Sequence, residues 1–346
     1  MEDLFSLNSK LKLEEFEFSE SDFSDDDFDL ASENDKENFM TKTPPTSYFQ
    51  DALRRLKENK VAMVSLGFLI IVCIFAFIGP FFVKGDYTTQ YRGDENLFPC
   101  LRYPFGTDKL GRDLMVRTMY GTRVSLIVGI FASLIVLVIG TAYGAISGYF
   151  GGKVDAFMMR FLDLIYSIPD VLVVILLSIG ISQPMKSFVN SSTSEIAKKI
   201  GVLGPALISI FIAFGLLYWV GMARIIRGQV LMLKKQEFVT AVEALGGSKK
   251  RIIRRHLLPN CIGQVIVMTA MQIPSAIFLE SFLSFLGIGV SAPMTSLGAL
   301  AADALGGIYS YAYRLIIPSL LLSLMILSLN LFADGLRDAL DPRLKK

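Results

Sequence analysis

Long apolar runs separated by short polar stretches leave this chain few ways to fold. The runs cover approximately residues 61–83, 125–149, 157–182, 202–223, 261–290 and 315–332. Each is close to the roughly 20 residues that a helix needs to cross the hydrocarbon core of a bilayer. With 52% hydrophobic residues over 346 positions, this is not the composition of an ordinary soluble domain. The expected fold class is all-α, a polytopic membrane protein with six transmembrane helices.

The third run is the least comfortable, because it carries Asp163, Pro169 and Asp170. An aspartate near the centre of a span costs about 2.5–3.5 kcal/mol of insertion, while each Leu, Ile, Phe or Val returns roughly 0.3–0.6 kcal/mol. Asp163 is cheap near the start of the run and Asp170 is not, so this helix needs neighbours. The fifth run holds Pro274 and an embedded Glu280. Ionisable groups at membrane depth default to functional hypotheses, so Asp170 and Glu280 are the candidate translocation-path residues; Glu280 could equally tie helices together by hydrogen bonds, and Pro169-Asp170 could mark a structural kink. Trp219 near the end of the fourth run is expected as an interfacial anchor.

Six spans put both termini on one side, and the basic residues choose it. The segment 54–60 before the first span, the turn that carries Lys153 and Arg160, residues 224–260 and the C-terminal segment carry nineteen Lys and Arg against eleven in the opposite loops. The positive-inside rule then makes the termini and the 224–260 loop cytoplasmic. Residues 1–45 read as a disordered acidic cytoplasmic tail, with fourteen acids and three lysines in the first forty positions. Residues 46–124 supply the first span with its lead-in and outer loop, and residues 125–346 the membrane core. Cys73, Cys100, Cys261 and the single His256 show no metal-ligand or disulfide spacing, and no phosphate-binding or nucleophile motif occurs. No cofactor, metal or catalytic residue is expected, and any energy source must lie in another subunit.

The polar stretch 234–260, KKQEFVTAVEALGGSKKRIIRRHLLPN, carries a short helical pattern. Phe238, Val242 and Leu245 recur at i, i+4 and i+7 and share one face. A helix over 237–245 spans roughly 13 Å and is too short to be stable alone. Gly246 is placed to end it and Ser248 to cap the next one. Its apolar face asks for a soluble partner. Glu237, Phe238, Ala241, Val242, Leu245 and Gly246 are the candidate docking residues.

At this loop the sequence resembles the permease subunits of ATP-binding-cassette importers, in the dipeptide/oligopeptide/nickel group. Thr240-Ala241-Val242, Gly246 and His256-Leu257-Leu258-Pro259 stand where those subunits carry a Glu-Ala-Ala turn, a glycine and an Ile-x-Leu-Pro-like ending; Thr240, Val242 and His256 depart from that pattern. The stretch GTDKLGRDLMVRTMYGTRVSL (106–126) resembles the group's outer-loop signature, with Val116 where Ser is usual. WVGMARIIRGQVL (219–231), ESFLSFLGIG (280–289) and GLRDALDPRL (335–344) are similar to further family blocks. The resemblance covers about residues 50–346 and omits the acidic tail.

The resemblance implies a type I importer fold and the second, C-type permease of a heterodimeric pair, in the cell membrane of a prokaryote. It implies two ATPase subunits that hold ATP and Mg, an extracellular solute-binding protein, and a peptide substrate. The 237–245 helix would be the coupling helix, seated in a groove of an ATPase. Gly106, Thr107, Asp108, Gly111, Arg112 and Asp113 would form an outer-loop scaffold that positions the first two spans. A nickel chelate or another small solute is the alternative cargo for the same permease type. A passive channel would explain the six spans but not the amphipathic loop helix, and a membrane scaffold would rest on the acidic tail.

Overall fold

The computed structural model describes residues 48–83, 85–191, 204–290 and 292–341. The acidic tail and most of the loop after the third span lie outside the described residues. The chain divides at Tyr48, and the larger unit, Phe49–Lys346, is the one described. Among the described residues there is no strand, only an isolated bridge between Thr107 and Asp113.

The helices in chain order are α1 (Tyr48–Glu58), α2 (Lys60–Phe77), α3 (Leu114–Phe150), α4 (Gly152–Tyr166), α5 (Asp170–Ser191), α6 (Pro205–Ala213), α7 (Trp219–Leu233), α8 (Glu237–Ala244), α9 (Lys249–Ile252), α10 (Leu258–Asn260), α11 (Ile262–Phe285), α12 (Leu297–Ala304) and α13 (Tyr313–Leu340). A π-helical turn at Phe214–Tyr218 joins α6 to α7. Among the described residues six segments are long and apolar enough to cross a membrane: Lys60–Phe81, Leu114–Phe150, Asp170–Val189, Leu207–Leu233, Ile262–Phe285 and Tyr313–Leu340. The expected count of six holds, and the bounds move for reasons that can be named.

The second span is 37 residues long, about 55 Å at 1.5 Å per residue. It begins eleven positions before the apolar run because its polar first turns are satisfied internally. Thr118 and Thr122 donate to the carbonyls of Leu114 and Thr118, both at 2.7 Å. The third run is two helices, not one. Gly151 and Gly152, at φ +63° and +54°, turn the chain out of α3. Helix α4 then runs to Tyr166, and Pro169 separates it from α5. Asp163 therefore lies outside the span, and Asp170 is the first residue of α5 rather than a mid-helix charge. The fourth span extends to Leu233, so Trp219 sits mid-span. It is buried against Tyr143, ring centroids 4.7 Å apart, and is not an interfacial anchor.

Helices α3 and α7 run parallel and unusually close. A Cβ on Gly140, Gly144 or Gly148 would come within 2.4–2.8 Å of Met222 Cβ, the Ala223 carbonyl or the Arg227 carbonyl. Three glycines at i, i+4 and i+8 thus let two backbones touch, the packing device of membrane helices, which gain little from hydrophobicity against one another. Antiparallel to α3, α11 packs Ile277 onto Gly129, and α13 packs Gly335 onto Ala62 of α2. Helix α1 lies against the other termini-side elements, with Ala52 joined to Val267 and Leu340 in one apolar cluster. The described termini and the 234–260 loop therefore share one end of the bundle. The 85–113 loop occupies the other.

Candidate functional site

The 234–260 loop forms the helix that its pattern requires. Helix α8 ends at Ala244, and Leu245 is its C-cap. The Gly246 N–H donates to Glu243 O at 3.0 Å and the Gly247 N–H to Val242 O at 2.9 Å. That pair of bonds is a Schellman ending, and Gly246 at φ +78° supplies the left-handed residue it needs. Ser248 has the extended backbone of an N-cap before α9, but its side chain makes no capping bond.

The faces of α8 are divided differently from the expected stripe. Val239, which the i, i+4, i+7 pattern passes over, is 0% exposed and belongs to the main core with half-buried Val242 behind it. Phe238, Ala241 and Leu245 stand on the opposite side, with Leu245 87% exposed. Val242 is thus an anchor rather than part of the outer face, while Glu237, Phe238, Ala241, Leu245 and Gly246 remain outside. The outer stripe is i, i+3, i+7, one helical face with no described residue over it.

The loop is fastened to the end of α3. Lys234 Nζ donates to Tyr149 O at 2.7 Å and lies 5.2 Å from the Tyr149 ring centroid. The Tyr149 hydroxyl donates to Glu243 Oε1 at 3.2 Å. Lys249 lies over the Phe150 ring. One turn back, Asp155 of α4 accepts two bonds from the Arg227 guanidinium and one from Ser147, all at 2.5 Å. The Arg227 bonds, against opposing burial, hold the Asp155 carboxyl below its ordinary value. Helix α8 is thus bonded to the end of α3 through Glu243 and Tyr149, and the Asp155 cluster bonds α3, α4 and α7 to one another.

At the far end, residues 106–113 build a closed knot. Gly106 and Gly111 have φ of +77° and +72°, and a Cβ on either would strike a backbone carbonyl, Leu97 O at 2.5 Å or Tyr91 O at 2.1 Å. Thr107 donates to Asp94 O and accepts from Leu97 N–H. Asp108 accepts from the N–H groups of Leu110 and Arg112, from Arg112 Nε at 2.7 Å and from Arg117 Nη1 at 2.6 Å. Burial would push the Asp108 carboxyl up, but Arg117, the two N–H groups and Arg112 outweigh it and hold it below the usual range. Arg117 reaches on to Asp303 of α12 at 3.3 Å. Tyr313 Oη, at the start of α13, lies 2.8 and 2.9 Å from the carbonyls of Leu97 and Thr107. Asp113 caps α3 by accepting from Met115 N–H and Val116 N–H. The first span enters through Phe105, whose ring lies 6.1 Å from that of Phe75. The knot thus joins four elements, α2, α3, α12 and α13, where the sequence reading expected two.

The two candidate path residues have different surroundings. Glu280 is 0% exposed and accepts from Ser284 at 2.7 Å, Ser125 at 2.9 Å and Ser281 at 3.3 Å. It faces no open space and ties α11 to α3, so the expectation that it lines a path does not fit this arrangement. The serines replace the water a carboxyl would otherwise keep. Asp170 is exposed, and its Oδ2 accepts from the Tyr218 hydroxyl at 3.0 Å. Tyr218 was not visible as a functional residue because it lies in an apolar run, but an unexplained tyrosine at span depth was the available signal. Among the described residues no group of His, Cys, Asp and Glu is arranged to hold a metal.

The family described as binding-protein-dependent transport system inner membrane component matches residues 140–346. A second, the N-terminal transmembrane domain of oligopeptide transport permease C, matches residues 47–99. The dipeptide transport system permease protein DppC of Bacillus subtilis is 44% identical over 93% of this chain and 94% of its own length. The oligopeptide transport system permease protein OppC of the same organism is 39% identical over 91% and 96%. OppC of Haemophilus influenzae is 42% identical over 86% and 89%.

Proposed function

Because the chain belongs to the family of inner-membrane components of binding-protein-dependent transport systems, we propose that it is the C-type permease subunit of an ATP-driven peptide importer and takes its drive through α8. The end that carries α8 and the described termini faces the cytoplasm. An ATPase subunit grips the outer stripe of α8, a second permease completes the path, and an extracellular binding protein delivers the peptide. ATP and Mg reside on the ATPase subunits and no cofactor on this chain.

The observation that carries this reading is the division of α8. Val239 and the Schellman ending fix the helix to its own core, and Phe238, Ala241 and Leu245 are left outside at helical spacing. Burying an apolar side chain of that size contributes about 1.5–3 kcal/mol if it is fully covered. A motor holding that stripe moves Tyr149 and Arg227 through their bonds to the loop and to α4. The glycine contacts of α3 and α7 make those two spans move as one body. The Gly106–Arg117 knot keeps their far end in register with α12 and α13.

The test is reconstitution with the partner permease, the ATPases and the binding protein. Gly246→Asp adds charge beside the stripe, where there is room for it, and strains the φ +78° turn that closes α8. It is expected to abolish peptide-stimulated ATP hydrolysis and uptake while the chain still inserts and purifies. Coupled uptake unchanged by that substitution would show that the motor is seated elsewhere.

A further inference from the structure

Three helix irregularities meet at one place in the bundle. Pro169 separates α4 from α5, the π turn Phe214–Tyr218 interrupts the fourth span, and Pro274 sits inside α11. Breaks of this kind concentrate where membrane proteins bind polar cargo, since irregular backbone at depth is tolerated only beside protein or a water-filled cavity. Here two adjoining depressions of about 460 and 400 Å³ share Asp170 and Tyr218. The smaller one extends to Ser275 on α11 and Asn330 on α13.

These groups are misplaced for a lipid-facing surface. Tyr218 and Ser275 stand close to the middle of the spans Leu207–Leu233 and Ile262–Phe285, and Asn330 past the middle of Tyr313–Leu340. Asp170, Ser275 and Asn330 are all exposed. Among the described residues none hydrogen-bonds the Asn330 amide, and the Ser275 hydroxyl reaches only its own helix, Met271 O at 3.4 Å. Acyl chains offer such groups nothing, and each left unsatisfied costs several kcal/mol. The apolar face of α2 is the contrast: Ile70, Ile71 and Ile74 are exposed there together.

We propose that Asp170, Tyr218, Ser275 and Asn330 form a peptide-binding station in the membrane, with Asp170 taking the protonated amino terminus of the peptide and Asn330 a backbone amide. The chemistry selects that ligand. A carboxylate that accepts one bond on each oxygen, from the Val171 N–H at 2.8 Å and from the Tyr218 hydroxyl at 3.0 Å, has lone pairs left for an ammonium. A primary amide offers one acceptor and two donors, the complement of a peptide unit. Tyr218 holds the carboxylate rather than contacting cargo, and the π turn supplies the offset that brings its hydroxyl to Asp170. The site rests on the transport function proposed above and adds to it where this chain touches the cargo.

Two measurements on the reconstituted full transporter test it. Uptake of a free-amino tripeptide is expected to fall about tenfold in Asp170→Asn and to recover to at least half in Asp170→Glu. No loss in Asp170→Asn, or equal loss in both variants, would overturn the ammonium role. The second measurement places a cysteine by Asn330→Cys in a chain whose three native cysteines are serines, with Ile71→Cys as control. A charged, water-soluble methanethiosulfonate is expected to modify position 330 and not 71, and transported peptide is expected to slow it. A position 330 as inert as position 71, or labelling that peptide does not change, would remove the station. If the unmodified transporter shows no ATP-dependent peptide uptake, the transport reading itself has failed, which is a separate result.

Discussion

At one end of the bundle Asp108 of the 85–113 loop is buried against Arg112 and against Arg117 of α3, and at the other the 234–260 loop leaves most of its charges outside. Asp108 and Arg117 are each only about 5–6% exposed in the side chain and 2.6 Å apart. Lys235, Lys249, Lys250, Arg251, Arg254 and Arg255 are all exposed, and none of the six forms an ion pair with a described residue. Both ends use tight turns at positive-φ glycines, so the turns do not make the difference. A buried pair fixes geometry only if both members are present, whereas exposed cations contribute little to the fold and remain available to a partner. One end is a clamp and the other a surface.

The largest expected effect is on the clamp. Arg117→Leu leaves the Asp108 carboxylate buried without its nearest counter-charge, and breaking such a pair from one side costs about 3–5 kcal/mol. The chain should lose most of its yield in membranes or its thermal midpoint in detergent. A midpoint within a degree or two of the parent would show that the pair is not holding the end together. Acid probes the same pair without a substitution. The folded Asp108 carboxyl titrates below its unfolded value, so its contribution is full above the ordinary carboxylate range and is lost as pH falls through the lower folded value. The midpoint should therefore drop on acidification towards about pH 4 and below, and the drop should be smaller in Arg117→Leu, where the largest of the interactions that hold the carboxyl down is gone and Arg112 and the two N–H groups remain.

The second test separates the two sides of α8. Val239→Asp puts a charge into the core and should destabilise the chain by several kcal/mol, by the cost of an unpaired buried ion. Leu245→Asp, one turn and a half further on, should leave the thermal midpoint nearly unchanged, because exposed positions tolerate substitution within about 0.5 kcal/mol. Its effect belongs to assembly: co-purification with the ATPase should weaken about tenfold or more, for the roughly 1.5–3 kcal/mol that burial of a leucine contributes. Reversed outcomes, with 239 tolerant and 245 destabilising, would invert the assignment of the faces.

Val239 also shows where the sequence stopped being readable. Phe238, Val242 and Leu245 match one helical stripe, and Val239 lies only 100° round from Phe238, so the pattern alone admits either division of the faces. What decides is the core that Val239 joins and the end of α3, whose Tyr149 bonds Glu243 94 residues away in sequence. The third span fails for a related reason. Hydropathy averages over Ser167, Ile168 and Pro169 and merges α4 with α5, although the proline was visible as a breaker. The start of α3 was hidden for the opposite reason, since Arg117, Thr118 and Thr122 look like loop residues until their partners are known. Long apolar runs, the Gly246 stop and the knot glycines were legible because each depends on local chemistry alone. Glu280 and Asp170 were legible as anomalies, but only the surrounding serines and Tyr218 distinguish a tie between helices from a group in an open depression.

The smallest expected effect compares the two helix caps, one in each loop. Asp113 accepts from Met115 N–H at 2.8 Å and Val116 N–H at 3.4 Å, while Ser248 has the capping backbone and no side-chain bond. Burial raises the Asp113 carboxyl against those N–H bonds, so part of what the cap contributes is cancelled by the cost of keeping it charged, and Asp113→Ala should cost about 1 kcal/mol rather than the upper end of the range near 2. Ser248→Ala removes no bond that the structure contains and should cost less than about 0.5 kcal/mol. Thermal midpoints of the two variants, measured in one detergent at neutral pH, decide the matter. If Ser248→Ala proved the more damaging, the α9 cap would have to close in the folded chain, and the 234–260 loop would be held as tightly as the loop at the opposite end.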